Sequence, residues 1–280
     1  MQIPSRGSTR ITGGDLTLNG ANMYRDKFDS RVGHFWDRQS RDWGQKYGKR
    51  SSYYYRCRTF HQYFLATELR RASILDYGCG SGEITFPLLQ AGHSVTGIDI
   101  APGMIRNAIQ RAQQSGLAAR ASYHHLDDTI LSAISSRSFD VVVCSSVLEY
   151  VDDDRALLNM FHDLLRDGGF LLVSVPDKRS LYCKLDKWLH ANRPLLPRFI
   201  PVEKLDYLDI QKRQYDIDQF VRDVEASGFE LRAKKHNTIT LQRGAIMERL
   251  SNIPGVGMLA IMMFKKVASV APSSVRKNRQ

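Results

Sequence analysis

Between residues 73 and 176 the chain alternates short apolar runs with stretches of helical spacing that end on glycine. SILDY (73–77) is apolar and stops at a glycine-rich turn. EITFPLLQAG (83–92) reads as a helix closed by Gly92, with Pro87 in its interior. SVTGIDI (94–100) is a second strand, and APGMIRNAIQRAQQSG (101–116) a helix ending at Gly116. ASYHHL (121–126), FDVVVCSS (139–146) and FLLVSVP (170–176) read as three more strands. Between the last two, DDDRALLNMFHDLLRDGG (152–169) predicts a helix with acid at its start, where the macrodipole favours it. Apolar strands separated by helices predict an α/β fold: a parallel, doubly wound, Rossmann-like sheet with helices on both faces.

The pattern changes on either side. Residues 1–22 are polar and aperiodic and read as a mobile arm. Residues 23–72 form a helical N-terminal extension rich in arginine and aromatics, with Tyr53, Phe60, Phe64, Leu65 and Leu69 at spacings suited to a helix face. After Pro176 the alternation breaks into an irregular, basic insertion, residues 177–213. DIDQFVRDVEASGF then predicts a helix, and FELRAKKHN and VGMLAIMMFKKV two final strands joined by 241–257. The main domain thus runs from 73 to 267, followed by a basic tail, 268–280.

Composition sharpens this picture. At 42% hydrophobic and 25% charged residues the chain is neither disordered nor collagenous. No apolar run approaches the ~18 residues of a transmembrane helix. The N-terminus, MQIPSRGSTRITGGD, lacks the apolar stretch of a secretory signal. Cys57, Cys79, Cys144 and Cys183 show no paired spacing, which argues against a disulfide framework or a zinc site. The expectation is a cytoplasmic protein without a metal. Net charge is +11, and it is unevenly spread. Residues 73–176 carry 12 acidic and 6 basic side chains, whereas 1–72 carry 14 basic and 6 acidic. Basic flanks around an acidic centre favour an anionic partner: a small molecule, a membrane surface contacted peripherally, or nucleic acid.

The chemistry concentrates at the ends of the strands. Gly78, Gly80 and Gly82 form a G-x-G-x-G turn after the first strand, which lets the backbone approach a ligand. Asp76, two residues before it, is a poor neighbour for a pyrophosphate and suits a ligand carrying positive charge. Asp99 ends the second strand, where a carboxylate can accept ribose hydroxyls or cap the next helix. Asp127 and Asp128 follow the third strand, as acceptors for an adenine amino group or as helix caps. Cys144 and Ser145 reach the edge of the sheet on the fourth.

Taken together, LDYGCGSG, VTGIDIAPGMI, FDVVVCSSVLEYVDD and LLRDGGFLLVSVP resemble the class I S-adenosylmethionine-dependent methyltransferases. Within that class the chain is similar to the type 11 small-molecule group, which includes ubiquinone- and menaquinone-pathway enzymes. The resemblance implies a seven-stranded sheet whose last strand is antiparallel. It implies S-adenosyl-L-methionine as cofactor and S-adenosyl-L-homocysteine as product. Asp76, Gly78 and Gly80 would line the methionine end, and Asp99 the ribose. Ile100 and Met104 would pack on the adenine, Asp127 and Asp128 lie at its amino edge, and Cys144 near the sulfonium. For Met104 a core-filling role is the alternative. The sequence departs from the group at Tyr150, where members often carry histidine after the acid.

No spacing fixes a catalytic base. His34 and His190 lie in the flanks, where this fold builds its lid, and Glu149 lies at a strand end. Arg56 or Arg58 can meet a cofactor carboxylate. Trp188, Leu189, Leu195, Leu196, Phe199 and Ile200, interspersed with Lys184, Lys187, Arg193 and Arg198, can form a lid over an apolar acceptor. The leading expectation is methyl transfer to a small, anionic or lipid-like acceptor. The alternatives are a nucleic-acid methyltransferase and a non-catalytic cofactor-binding subunit.

Overall fold

The computed structural model describes residues 30–48, 51–197, 202–237 and 255–267. The expected arm, most of the 241–257 connection, the basic tail, and Arg198, Phe199 and Ile200 lie outside these residues.

In chain order the described elements begin with α1 (Ser30–Gln39), a 3-10 helix (Ser40–Tyr47) and α2 (Ser52–Leu65). The alternating region follows: β1 (Ser73–Tyr77), α3 (Phe86–Gln90), β2 (Ser94–Asp99), α4 (Pro102–Gln114), β3 (Ala121–His125) and α5 (Asp128–Ala133). It continues with β4 (Phe139–Ser145), α6 (Asp154–Leu164) and β5 (Leu165–Pro176). Then come α7 (Leu181–Ala191), a second long 3-10 helix (Val202–Asp209), α8 (Ile217–Ala226), β6 (Phe229–Asn237) and β7 (Leu259–Lys266). The seven strands form one sheet in the order β3-β2-β1-β4-β5-β7-β6. β1 to β5 pair in parallel, and β7 runs antiparallel to both neighbours, as expected.

Strand alternation sends neighbouring residues to two separate cores. Leu75, Val142 and Leu171 meet Leu158 and Phe161 of α6 and Phe220 of α8 on one face. Ile74, Val141 and Leu172 meet Phe60 and Phe64 of α2 and Ile105 of α4 on the other. Each such side chain, taken fully from water, contributes about 1.5–3 kcal/mol, so the double winding follows from burying both faces.

Three expectations change. The helix predicted over 83–92 shrinks to α3, which places Pro87 in its first turn, where an N–H has no helical partner anyway. The helix predicted over 152–169 stops at Leu164, and β5 starts at once. Lys266 contributes to the stop, beside Arg137 and Ser138, whose N–H groups donate to Asp163 O and Leu164 O. Lys266 is buried on β7, and its ammonium donates to the carbonyls of His162 at 2.7 Å and Leu165 at 2.9 Å. It takes the place of the next helical turn at carbonyls that a helix end leaves open. The insertion expected to be irregular contains α7 and a 3-10 helix, and its two ends are stitched together. Tyr215 N–H donates to Pro176 O at 2.9 Å, and Lys178 N–H to Tyr215 O at 2.8 Å.

Lys266→Met keeps the apolar stem but leaves both carbonyls without their donor. The expected loss is about 1–3 kcal/mol of unfolding free energy, read by urea denaturation. A loss no larger than that of an exposed control such as Lys184→Met would show that the chain leaves α6 for another reason.

Candidate active site

Strand order reverses between β1 and β4, and open α/β sheets bind ligands outside the carboxyl ends of strands at such a point. A cavity of about 1040 Å³ opens there. Its floor is the turn after β1. Gly78 and Cys79 donate their N–H groups to Ile98 O at 2.8 and 3.0 Å. Gly80 N–H donates to Asp99 Oδ2, and Ala101 N–H to Asp99 Oδ1, both at 2.8 Å. The turn needs glycine: φ is +74° at Gly78 and +54° at Gly80. A Cβ at Gly78 would lie 2.2 Å from Val147 Cγ2, and one at Gly80 3.0 Å from Trp43 Nε1. Asp76 sits beneath the turn, accepting from Thr85 Oγ1 at 2.7 Å. Burial pushes its carboxyl up to about 7, the Thr85 bond opposes this, and the charges of Asp99 and Glu83 add to it.

The N-terminal segment forms one wall. Trp36, Trp43, Tyr47 and Tyr53 line the cavity and meet edge-on, with Trp36–Trp43 centroids 5.4 Å and Trp43–Tyr53 5.6 Å apart. Arg56 on α2 points the same way. It is 7% exposed, stacks on Tyr53 at 4.6 Å and donates to Ser146 Oγ at 3.0 Å, and its Nε has no partner. Opposite it, after β4, stands Glu149. It is 2% exposed, lines the cavity and leaves Oε2 without a partner. Burial pushes its carboxyl up to about 8, against the pull of a backbone N–H, Arg56 and Ser146. The lid closes the other end with Asp186 and Leu189 from α7 and Leu205 and Tyr207 from the second 3-10 helix. Tyr207 Oη donates to Asp186 Oδ2 at 2.8 Å.

A protein family described as a methyltransferase domain matches residues 49–234. The chain belongs to that family. A ubiquinone biosynthesis O-methyltransferase of Psychrobacter arcticus is 34% identical over 114 residues, 41% of this chain and 44% of the relative. One from Xylella fastidiosa is 29% identical over 170 residues, 60% of this chain and 62% of the relative. The chain thus spans less than two thirds of the length of either relative. The structure of a magnesium protoporphyrin IX methyltransferase from Synechocystis PCC 6803, with bound SAH, superposes with a TM-score of 0.62. At 18% identity it covers 85% of this chain and 99% of that one, and it shares the fold.

Of the residues singled out in the sequence, Gly78, Gly80, Asp99, Ile100, Met104 and Glu149 line this family member's cavity. Met104 serves two ends, since it is also packed with Ala101 and Trp43. Asp76 lies under the turn and not on the wall. Cys144 is fully buried in the core with Tyr77 and Leu148, because alternation along β4 turns it under the sheet and leaves Ser145 and Ser146 at the edge. Asp127 caps α5, accepting from Ile130 N–H at 2.9 Å, and Leu126 takes the wall position. Asp128 opens that helix. His34 is exposed on α1, and His190 pairs with Asp209 at 2.7 Å; neither lines the cavity. Arg58 is exposed, so helix phase selects Arg56. Sequence reasoning missed Trp36, Trp43, Asp186 and Tyr207. The aromatic density of residues 35–55 was the available signal for the first two; nothing local marked the others.

Asp76 gives a stability prediction. Its carboxyl titrates near 7 when folded and near ~3.9 when unfolded. Between those values the folded state holds the extra proton, so this group makes stability fall as pH rises. Asp76→Asn should flatten that slope, as read by urea unfolding at about pH 5 and about pH 7.5. Equal slopes in both proteins would show Asp76 ionised in the fold.

Proposed function

We propose that the chain is an S-adenosyl-L-methionine-dependent methyltransferase acting on a hydroxyl of a small molecule. The carrying observation is the bonding of the glycine turn. Its N–H groups at 78, 79 and 80 are all used by Ile98 and Asp99, and three carboxyl groups, Asp76, Glu83 and Asp99, lie around it. A pyrophosphate needs free N–H donors and no nearby acids, so a nicotinamide dinucleotide fits poorly. A carboxylate offers about four acceptor sites. Asp99 spends one on Gly80 of the turn and one on Ala101 at the start of α4, which leaves acceptor capacity for ribose hydroxyls. When bound, the cofactor supplies a methyl group on a sulfonium. Ile100 and Met104 hold the adenine side, and Arg56 meets the carboxylate of the tail. The aromatic wall excludes water. Glu149 is the one proposed base that faces the cavity, and it takes the proton from the acceptor hydroxyl. The relatives' printed names, O-methyltransferases of ubiquinone biosynthesis, support a hydroxyl acceptor with an apolar body. Residues 73–267 serve as the catalytic unit, 23–72 as its wall and 177–213 as its lid.

A lipid-like acceptor has a specific observation in its favour. Leu181, Leu185 and Trp188 lie four and three residues apart on α7 and are all exposed, Trp188 at 57% and the nearby Leu195 at 81%. Lys184 and Lys187 flank them and are exposed too. An apolar stripe edged with cations suits peripheral contact with an anionic bilayer, and the other side of the same helix lines the cavity. No helix among the described residues is long and apolar enough to cross a membrane. A nucleic acid fits less well, because the cavity is roofed by the lid.

Calorimetry should show S-adenosyl-L-homocysteine binding to the wild type and NAD not. Gly80→Val should weaken the first by at least tenfold, about 1.4 kcal/mol. NAD binding alone would overturn the reading. With an acceptor identified by mass shift from deuterated cofactor, turnover should rise with pH through about 8. Glu149→Gln should remove that limb and lower kcat by about 10²–10⁴, with cofactor affinity kept. An unchanged profile would exclude Glu149 as the base. Phosphatidylglycerol vesicles should retain the protein and phosphatidylcholine vesicles should not, with Lys184→Glu/Lys187→Glu releasing it. Equal partition to both would leave α7 without a bilayer role.

A further inference from the structure

The N-terminal wall has an outer side. Trp36, Gln39 and Trp43 face the cavity, while Arg38 and Arg41 face a separate cleft of about 540 Å³. The far side of that cleft is the start of α4, with Gly103, Arg106 and Asn107. Its floor is tightly bonded. Asp37 Oδ1 accepts from Gly103 N–H at 2.6 Å, Asn107 Nδ2 donates to Ser40 O at 2.8 Å, and Ser40 Oγ donates to Asp37 O at 2.7 Å. The contact is so close that a Cβ on Gly103 would lie 2.3 Å from Ser40 Oγ. Asp37, the one acid on the cleft wall, therefore spends an oxygen on Gly103.

Three guanidinium groups surround this floor. None of Arg38, Arg41 and Arg106 makes a side-chain ion pair or hydrogen bond among the described residues. This is unlike Arg111, Arg137, Arg166, Arg193 and Arg213, each of which pairs with a carboxylate. Three cations gathered from α1, the first 3-10 helix and α4 against one acid repel one another unless an anion joins them. The planar guanidinium fork matches phosphate oxygens two at a time, and the excess of two positive charges matches a phosphoryl dianion.

We infer that this cleft binds the phosphoryl group of a small soluble molecule, held by Arg38 and Arg41 on one side and Arg106 on the other. The site is separate from the cofactor cavity and shares only its wall. An anion bridging the two sides ties the wall to α4, whose Met104 lines the cavity. Occupancy of cleft and cavity is then coupled, and by linkage each ligand tightens the other by the same factor. That coupling rests on the function proposed above; the cleft itself does not.

Calorimetry with inorganic tripolyphosphate, on the full chain at fixed ionic strength, tests the site. Saturable one-to-one binding is expected, at least tenfold weaker in Arg106→Gln and in Arg38→Gln/Arg41→Gln. The exposed control Arg58→Gln should bind like wild type. Circular dichroism checks that the variants fold. Equal weakening in the control, or no binding beyond that of sodium chloride at matched ionic strength, would overturn the site. Arg106-dependent retention by phosphatidylglycerol vesicles without tripolyphosphate binding would overturn the soluble ligand. S-adenosyl-L-homocysteine should bind more tightly with tripolyphosphate present. Tripolyphosphate binding without that gain would overturn the coupling alone, and failure of S-adenosyl-L-homocysteine to bind at all would fall on the proposed function.

Discussion

Asp99, by its carboxylate and its backbone carbonyl together, holds three strand ends in one geometry. Through Gly80 it fixes the turn after β1, through Ala101 it starts α4, and its backbone carbonyl receives Leu126 N–H at 2.8 Å from the end of β3. Burial raises its pKa, and the N–H groups it accepts oppose that rise. A group with this many duties does not divide cleanly into structural and functional parts. Replacing it removes an organiser of the cavity floor along with whatever it offers a ligand.

The alternating region was readable because each of its signals is local. Apolar strands, glycine stops and acids at helix starts sit within a few residues of what they determine, so the seven strands and the Asp99 and Gly80 positions followed from pattern. The errors have one origin, which is decision at a distance. Leu165 has the sequence of a helix interior, and it becomes strand where distant donors, Lys266 and the N–H groups of Arg137 and Ser138, take the carbonyls at the end of α6. Cys144 stands at a strand end, yet the phase of β4 turns it inward. Arg56 and Arg58 are indistinguishable until the phase of α2 is known. Asp186 and Tyr207 acquire meaning only when the insertion folds back.

Charge shows a similar split between count and placement. The basic flanks suggested an anionic acceptor, but Lys184 and Lys187 of the lid are exposed and do not line the cavity, and the cavity itself mixes Arg56 and Lys46 with Asp99, Glu149 and Asp186. Burial lowers the pKa of Lys46, which donates to Gln39 Oε1 at 2.8 Å and lies over Trp43. The positive field therefore acts on what approaches the molecule, whereas recognition inside depends on individual polar groups set in an apolar chamber.

The stitch at the base of the lid has a further consequence. Because Pro176 and Lys178 are bonded directly to Tyr215, the chain leaves the sheet and returns to it at one point. The entropy of closing a loop grows only slowly with its length, and here the closure is made by the sheet side of the junction. The segment between is a cassette. Its outer part can change length at modest cost, but its last residues are tied to the cavity edge. Lys212 N–H donates to Glu149 O at 2.8 Å, and Arg213 reaches the carbonyls of Val151 and Asp152, so a change of lid is felt at the position of Glu149.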